Sequence, residues 1–183
     1  MKTFFIFRVK HILLLLAFLM VLPLTASARN LIMARAADAT GLDPHTQTAF
    51  ASLRLLELIY EPLVVLDEKL NIVPALAESW SFSSDGKVLT FKLRKGVTFH
   101  DGSKMTAKDV IASFKRILDE KTGAATRANF LSIQSMEEQG QNTVVFHLSR
   151  PDVPILTAMT DTNASIISSD IISNGNPSKE AIG

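Results

Sequence analysis

Beyond residue 28 the chain has three histidines, His45, His100 and His147, and it has no cysteine anywhere, which narrows its chemistry before any element is placed. A histidine beside a carboxylate can move a proton or hold a metal, and His100-Asp101 is the nearest such pair. A metal centre needs three or four donors at workable spacing, and none of the three histidines brings another His, Asp or Glu into such a set. His100-Asp101-Gly102-Ser103 reads instead as a turn whose aspartate accepts backbone amides. The nucleophile and phosphate signatures are missing too: the sequence has no Gly-x-Ser-x-Gly, P-loop, Gly-x-Gly-x-x-Gly or His-Glu-x-x-His string. No catalytic residue, metal or cofactor is expected, and the chain does not read as an enzyme.

Four further residues have plain readings. Asp43 precedes Pro44, where it sets an extended turn rather than offering a functional carboxylate. Glu78 and Arg94 lie beside core aromatic positions and are expected to form a structural ion pair. Trp80 is expected as a core aromatic of a half-buried sheet rather than a ligand platform.

Any site in this chain therefore rests on loops, and the elements that carry those loops come next. Val88 to Leu118 is the clearest unit. Leu89, Phe91 and Leu93 alternate with Thr90, Lys92 and Arg94 at the period of a strand with one buried face. Gly96 ends that run, Gly102 permits the turn, and Thr106 with Asp109 predicts a capping box opening a helix. Val110, Ile111, Phe114, Ile117 and Leu118 form the helix's apolar stripe, with Lys108, Ser113 and Lys115 turned away. Before this unit, Leu31 to Ala34 predicts a short strand and Asp38 to Thr48 a loop broken by Gly41 and Pro44. Ala49 onward predicts a helix that Pro62 stops, then Leu63 to Leu66 a strand, and Pro74 to Glu78 one helical turn. Trp80 and Phe82 return through Ser83-Ser84-Asp85-Gly86 in a hairpin, opposite the Leu89, Phe91, Leu93 set. After the capped helix, Asp119 to Asn129 has no pattern of its own. Ile133 to Glu138 and Thr143 to Leu148 predict a second hairpin, Ile155 to Met159 a short helix, Ala164 to Ile167 a returning strand, and Ser168 the cap of a last helix.

A length of 183 residues, 47% apolar and 20% charged, is that of a globular chain. Residues 1–28 have the three parts of a secretory signal: Lys2, Arg8 and Lys10, an apolar run from Ile12 to Leu22, and Ala26-Ser27-Ala28 as a small-residue cleavage site. That run is short of the roughly 20 residues that span a bilayer. The leader holds three of the 19 basic residues and none of the 18 acidic ones, so the remainder carries 16 against 18, a net −2. No nucleic-acid partner is expected from that balance. Without cysteine there is no disulfide and no lipid-modified cysteine anchor, so an apolar core alone must hold the fold.

The string Phe91-Lys92-Leu93-Arg94-Lys95-Gly96-Val97-Thr98-Phe99-His100-Asp101-Gly102, followed by Met105-Thr106-Ala107-Lys108-Asp109-Val110 and Ser113-Phe114, closely resembles the signature of the family-5 extracellular solute-binding proteins, the peptide and nickel receptors of bacterial ABC importers. Leu42-Asp43-Pro44-His45, Ile59-Tyr60-Glu61-Pro62-Leu63-Val64 and Val73-Pro74-Ala75-Leu76-Ala77-Glu78-Ser79-Trp80 resemble its other landmarks, in the family's order. The resemblance runs from about Leu31 to Gly183. It implies a mixed α/β fold, the first-lobe portion of a type II periplasmic binding protein with a β-rich subdomain. The implied division is a signal peptide at 1–28, a first segment of lobe I at 29–60, the β-rich subdomain at 61–163 and a return into lobe I at 164–183. Ala181-Ile182-Gly183 resembles the start of a Gly-Thr-Gly-Pro turn, so the chain reads as an amino-terminal portion of a longer receptor.

The function so implied is that of a periplasmic receptor delivering a small solute, a di- or oligopeptide, to the membrane permease of an ABC importer, as a monomer. In relatives the solute lies between two lobes and is held largely by backbone hydrogen bonds, as in strand addition. The matching positions are Thr46, Gln47, Thr48, Ala49 and Phe50, then Thr126 and Arg127, then Asp161 and Thr162 in the turn to Asn163. Arg127 could equally be a solvated loop charge or meet a ligand carboxylate. Two rivals stand beside this reading: an exported interaction module or relic that binds no solute, and a secreted hydrolase, which would need a nucleophile and base that the sequence lacks.

Overall fold

The computed structural model describes residues 37–183; the secretory signal expected at 1–28 and the strand expected at Leu31 to Ala34 lie outside the described residues. The centre is a four-stranded antiparallel sheet of β3 (Ala77–Phe82), β4 (Val88–Leu93), β5 (Ile133–Glu138) and β6 (Thr143–Leu148), in the order β3-β4-β6-β5. Both hairpins form as expected. Trp80 stands opposite Phe91 and Phe82 opposite Leu89, while Met136 faces Phe146 across the second hairpin. The turn from β3 to β4 depends on Gly86, whose φ of 68° suits glycine.

A helix covers the sheet's apolar face and fixes the core. This is α2 (Ala107–Leu118); α1 (Phe50–Leu56) precedes it in the chain. The capping box at the start of α2 is present: the Asp109 carboxylate accepts from the Thr106 amide (2.8 Å) and hydroxyl (3.0 Å). Phe114 packs edge-on against Phe146 (5.1 Å between centroids) and Phe130 (5.2 Å), and Phe146 does the same against Phe91 (5.7 Å). These four rings are fully buried, which makes them the largest apolar contribution to the core. Trp80 is half-buried against Phe91, as expected of a sheet aromatic.

Several expectations are corrected. Pro74 to Glu78 forms no helical turn: β1 (Val64–Leu66) pairs with β2 (Ile72–Pro74), and the Ala75, Leu76 and Ala77 amides donate to the Leu63 and Pro62 carbonyls. That pairing gives those amides partners a single isolated turn could not. The helix from Ala49 ends at Leu56 and continues only as turns to Tyr60. Ser113 is not turned away but fully buried; its Oγ donates to the Ile167 carbonyl (3.2 Å) and accepts from the Ile167 amide (2.9 Å). Ala164 to Ile167 is no strand: Thr162–Ala164 is a 3₁₀ turn, and the extended stretch after it is held by Ser113 and by the Glu61 carbonyl rather than by a ladder. Two last helices follow in chain order, α3 (Pro154–Ala158) and α4 (Ser169–Asn174). Ser168 is at the N-cap of α4, but the capping acceptor is Asp109, which takes the Ser169 amide (2.9 Å) and hydroxyl (2.8 Å). One carboxylate thus serves two helix starts. Arg94 does not pair with Glu78; its Nε donates to the Ala75 carbonyl (3.0 Å).

Candidate functional site

The loops singled out in the sequence converge on the segment Asp43-Pro44-His45, which the structure buries. Asp43 is 2% exposed and His45 0%. The cause is Arg116 on α2. One of its terminal nitrogens donates to Asp43 Oδ1 (2.9 Å) and to His45 Nδ1 (2.8 Å), and the other to Asp43 Oδ2. The two carboxylate bonds make a forked pair that a lysine could not reproduce. The extended Asp-Pro turn read from the sequence is thus also one side of a buried ion pair.

The histidine tautomer follows from its partners. A guanidinium can only donate, so Nδ1 must accept, and the ring proton sits on Nε2, which donates to the Ser165 carbonyl (2.9 Å). Burial first, and the Arg116 charge with it, pushes the imidazole down from its ordinary 6.5 to about 4, against the opposing pull of the Ser165 bond and Asp43. His45 is neutral at ordinary pH, with no lone pair left for a metal or for proton abstraction. Among the described residues no group of three His, Cys, Asp or Glu side chains could hold a metal ion. His100-Asp101 is the turn expected of it: Asp101 accepts from the Ser103 hydroxyl (2.6 Å) and amide (2.8 Å), and these bonds hold its carboxyl below the usual range.

Around this buried segment the three loops meet. Buried Asn163 donates from Nδ2 to the Pro44 and Gln47 carbonyls, so the 161–163 turn is tied to the 44–47 loop. The Ala125 amide donates to the His45 carbonyl (2.9 Å), which ties in the segment before Thr126. The Asp161 carboxylate accepts from the Asn163 amide (2.9 Å), and Thr162 donates to Glu57 (3.1 Å) at the end of α1. Thr48 and Phe50 are exposed, Thr46, Gln47 and Ala49 partly so, and Arg54 lies over the Phe50 ring at 4.8 Å. The Thr126 hydroxyl is buried without a hydrogen-bond partner. Arg127 is drawn into the fold: its Nε donates to the Leu118 carbonyl (2.8 Å) at the end of α2, and its guanidinium pairs with Glu120 (2.9 Å). Thr160 borders two open clefts of about 600 Å³ each, one shared with Asn129 and Asp161, the other with Glu57, Thr162 and Ser165.

Sequence reasoning passed over Arg116, and it took Asn163 only as the end of the 161–163 turn rather than as the residue that ties this turn to the 44–47 loop. Arg116 sits in the last turn of an amphipathic helix, where a basic residue is ordinary. Asn163 lies in a polar turn, and only the chain's path past residue 44 gives its amide two buried acceptors.

Residues 71–183 match the model of the bacterial extracellular solute-binding proteins, family 5 Middle. Di/tripeptide-binding protein 2 of Pseudomonas aeruginosa is 30% identical over 181 residues, covering 88% of this chain and 34% of the relative. Among solved structures, the binding protein AgaA of A. tumefaciens R10 in complex with agropinic acid is 33% identical, with a TM-score of 0.71, covering 76% of this chain and 29% of that one. The ABC transporter-associated periplasmic binding protein DppA of Helicobacter pylori in complex with the peptide STSA is 32% identical, with a TM-score of 0.69, covering 80% and 34%. The chain spans 18% to 34% of the length of the curated relatives it matches.

Proposed function

The chain belongs to the bacterial extracellular solute-binding proteins of family 5, and on that premise we propose that it is part of the solute receptor of an ABC importer, with a peptide as solute. The observation that carries the proposal is the meeting of the 44–50, 125–127 and 161–163 loops through His45 and Asn163. A peptide is recognised through its backbone as much as its side chains, and such a face of short polar residues offers amides and carbonyls along its length. Thr46, Gln47, Thr48, Ala49 and Phe50 would run beside the solute, with Thr126, Asp161 and Thr162 across from them. Arg127 would act by holding the end of α2, because its guanidinium is already engaged. The small cluster of Leu56, Tyr60, Ile167 and Ile171 supports reading residues 29–60 and 164–183 as one lobe, with 61–163 as the β-rich subdomain.

The receptor would be exported, lose residues 1–28 and work outside the cytoplasmic membrane as a monomer. It would bind solute without transforming it and, by closing on it, present a surface to the permease. Calorimetric titration of the protein expressed from its gene tests the reading, with di-, tri- and oligopeptides, a nickel–histidine complex and agropinic acid as probes. Peptide binding at micromolar affinity or tighter is expected. Binding of the nickel complex or agropinic acid alone would overturn the peptide assignment, and no binding at all would overturn the receptor. Mass spectrometry of the exported protein should find Arg29 at its amino terminus; a retained Met1 would refute the cleavage.

A further inference from the structure

Every polar group of His45 is used, and each bond reaches a different segment. Its amide donates to Asp43 Oδ1 (3.1 Å), its carbonyl accepts from Ala125, its Nε2 donates to the Ser165 carbonyl, and its Nδ1 accepts from Arg116. With the ring fully buried, His45 cannot touch a solute. We infer that His45 is a positioning residue, which sets the mutual register of the three loops assigned above to solute; the inference rests on that assignment for its purpose but not for its geometry.

An apolar residue at this position would fill the space and leave two buried partners unsatisfied, the Ser165 carbonyl and one Arg116 N–H. A histidine in a single tautomer satisfies both at a fixed separation. It thereby sets the distance between α2 and the extended stretch at 165–168, and with it the distance between the 44–50 loop and the 161–163 turn. The charged and titratable groups around the ring are Asp43 from its own turn and Arg116 from α2, with Tyr60 from the end of α1 set against that pair. The 165–168 stretch contributes the Ser165 carbonyl. A proton added at Nδ1 would replace an acceptor with a donor facing the guanidinium, so the register should loosen in acid.

The test is amide hydrogen exchange on the protein, which needs no solute, in the wild type and in His45→Ala and His45→Gln. In His45→Ala the Ala125 amide keeps its acceptor, the residue-45 backbone carbonyl, and the Ile166 amide keeps the Glu61 carbonyl. With the ring's bonds to Ser165 and Arg116 gone, however, the loops lose register and protection of both amides should fall at least about tenfold, while the Leu93 and Leu148 amides in the central ladder keep theirs. The side-chain amide of His45→Gln can still donate towards Ser165, so this variant should recover part of the Ile166 protection. It also serves as the readout if His45→Ala does not fold. In the wild type, Ala125 and Ile166 should lose protection before the ladder does as pH falls from 6 to 4, after correction for intrinsic exchange. Loop and ladder amides losing protection in parallel, or no loop amide changing, would overturn the inference. Solute affinity is measured separately: if the exchange results hold and nothing binds, the proposed function fails while the register role stands.

Discussion

Acid should destabilise this protein through His45 before the Asp67, Asp85 and Asp101 carboxylates take part, and the size of the effect follows from the imidazole. The imidazole titrates at 6.5 in an unfolded chain and at about 4 in the folded one. Between those values the unfolded state binds a proton that the folded state refuses, so stability falls as pH falls. The contribution is fully present above 6.5, shrinks through the window and is gone below about 4, where both states are protonated. At about 1.36 kcal/mol for each tenfold difference in proton affinity, it amounts to about 3 kcal/mol. Asp67, Asp85 and Asp101 have carboxyls held below 3.8 by their turn hydrogen bonds, so their contribution is lost only at lower pH. Trp80, the only tryptophan, is half-buried against Phe91 and reports unfolding by fluorescence. With a urea dependence of about 1–3 kcal/mol/M, the midpoint should drop by about 1–3 M between pH 7 and pH 4. His45→Gln, which cannot take up the proton, should flatten that dependence even if it starts from a lower stability. An equal slope in wild type and variant would refute the reasoning, because the acid sensitivity would then belong to other groups.

The core and the turns give three more expectations. Phe91→Ala and Phe114→Ala each remove a fully buried ring and should cost about 3–5 kcal/mol in urea denaturation. Thr106→Ala keeps the amide bond to Asp109 and loses only the hydroxyl's, so it should cost about 1 kcal/mol; a phenylalanine change milder than this one would contradict the packing. Gly86→Ala and Gly102→Ala both force a side chain into the left-handed region, at about 1–2 kcal/mol each. An added Cβ at Gly86 would also meet the Pro151 Cβ at 3.1 Å whereas Gly102 faces open space, so thermal unfolding should rank Gly86→Ala as the more damaging.

Much of the fold was legible because its rules are local. The period of two in β4 and β6, the Asp85-Gly86 turn and the Thr106–Asp109 box each act over a few residues, and each formed where the residues place it. The misreadings arose where a distant partner decided the outcome. Ala75 to Ala77 are good helix formers, yet their amides found the carbonyls of Pro62 and Leu63, and pairing with a neighbouring strand overrode propensity. Strand β2 was hidden for a related reason: the turn that leads into it has Leu70 at a positive φ of 63°, and leucine gives no turn signal. Ser113 follows the same logic, since helical periodicity treats a serine as a solvent-facing residue and cannot know that a strandless stretch will need its hydroxyl.

The candidate site lies at the far end of this scale. Its loops were found by resemblance, and what holds them together spans 71 residues from His45 to Arg116 and 120 from His45 to Ser165. Neither separation leaves a periodic trace. What the sequence does offer is a charge balance that looks unremarkable and an Asp-Pro-His string that reads as a turn. Both readings hold as far as they go, because Asp43 accepts the His45 amide as a turn aspartate should. The additional step is energetic. Burying Asp43 alone would be prohibitive, so its burial required a cation, and Arg116 is the cation that the path of α2 supplies. Breaking such a pair from one side leaves a buried charge and costs about 3–5 kcal/mol. Arg116 therefore holds the Asp43-Pro44-His45 segment from the same helix whose Leu118 carbonyl takes Arg127 and whose Ser113 hydroxyl takes Ile167.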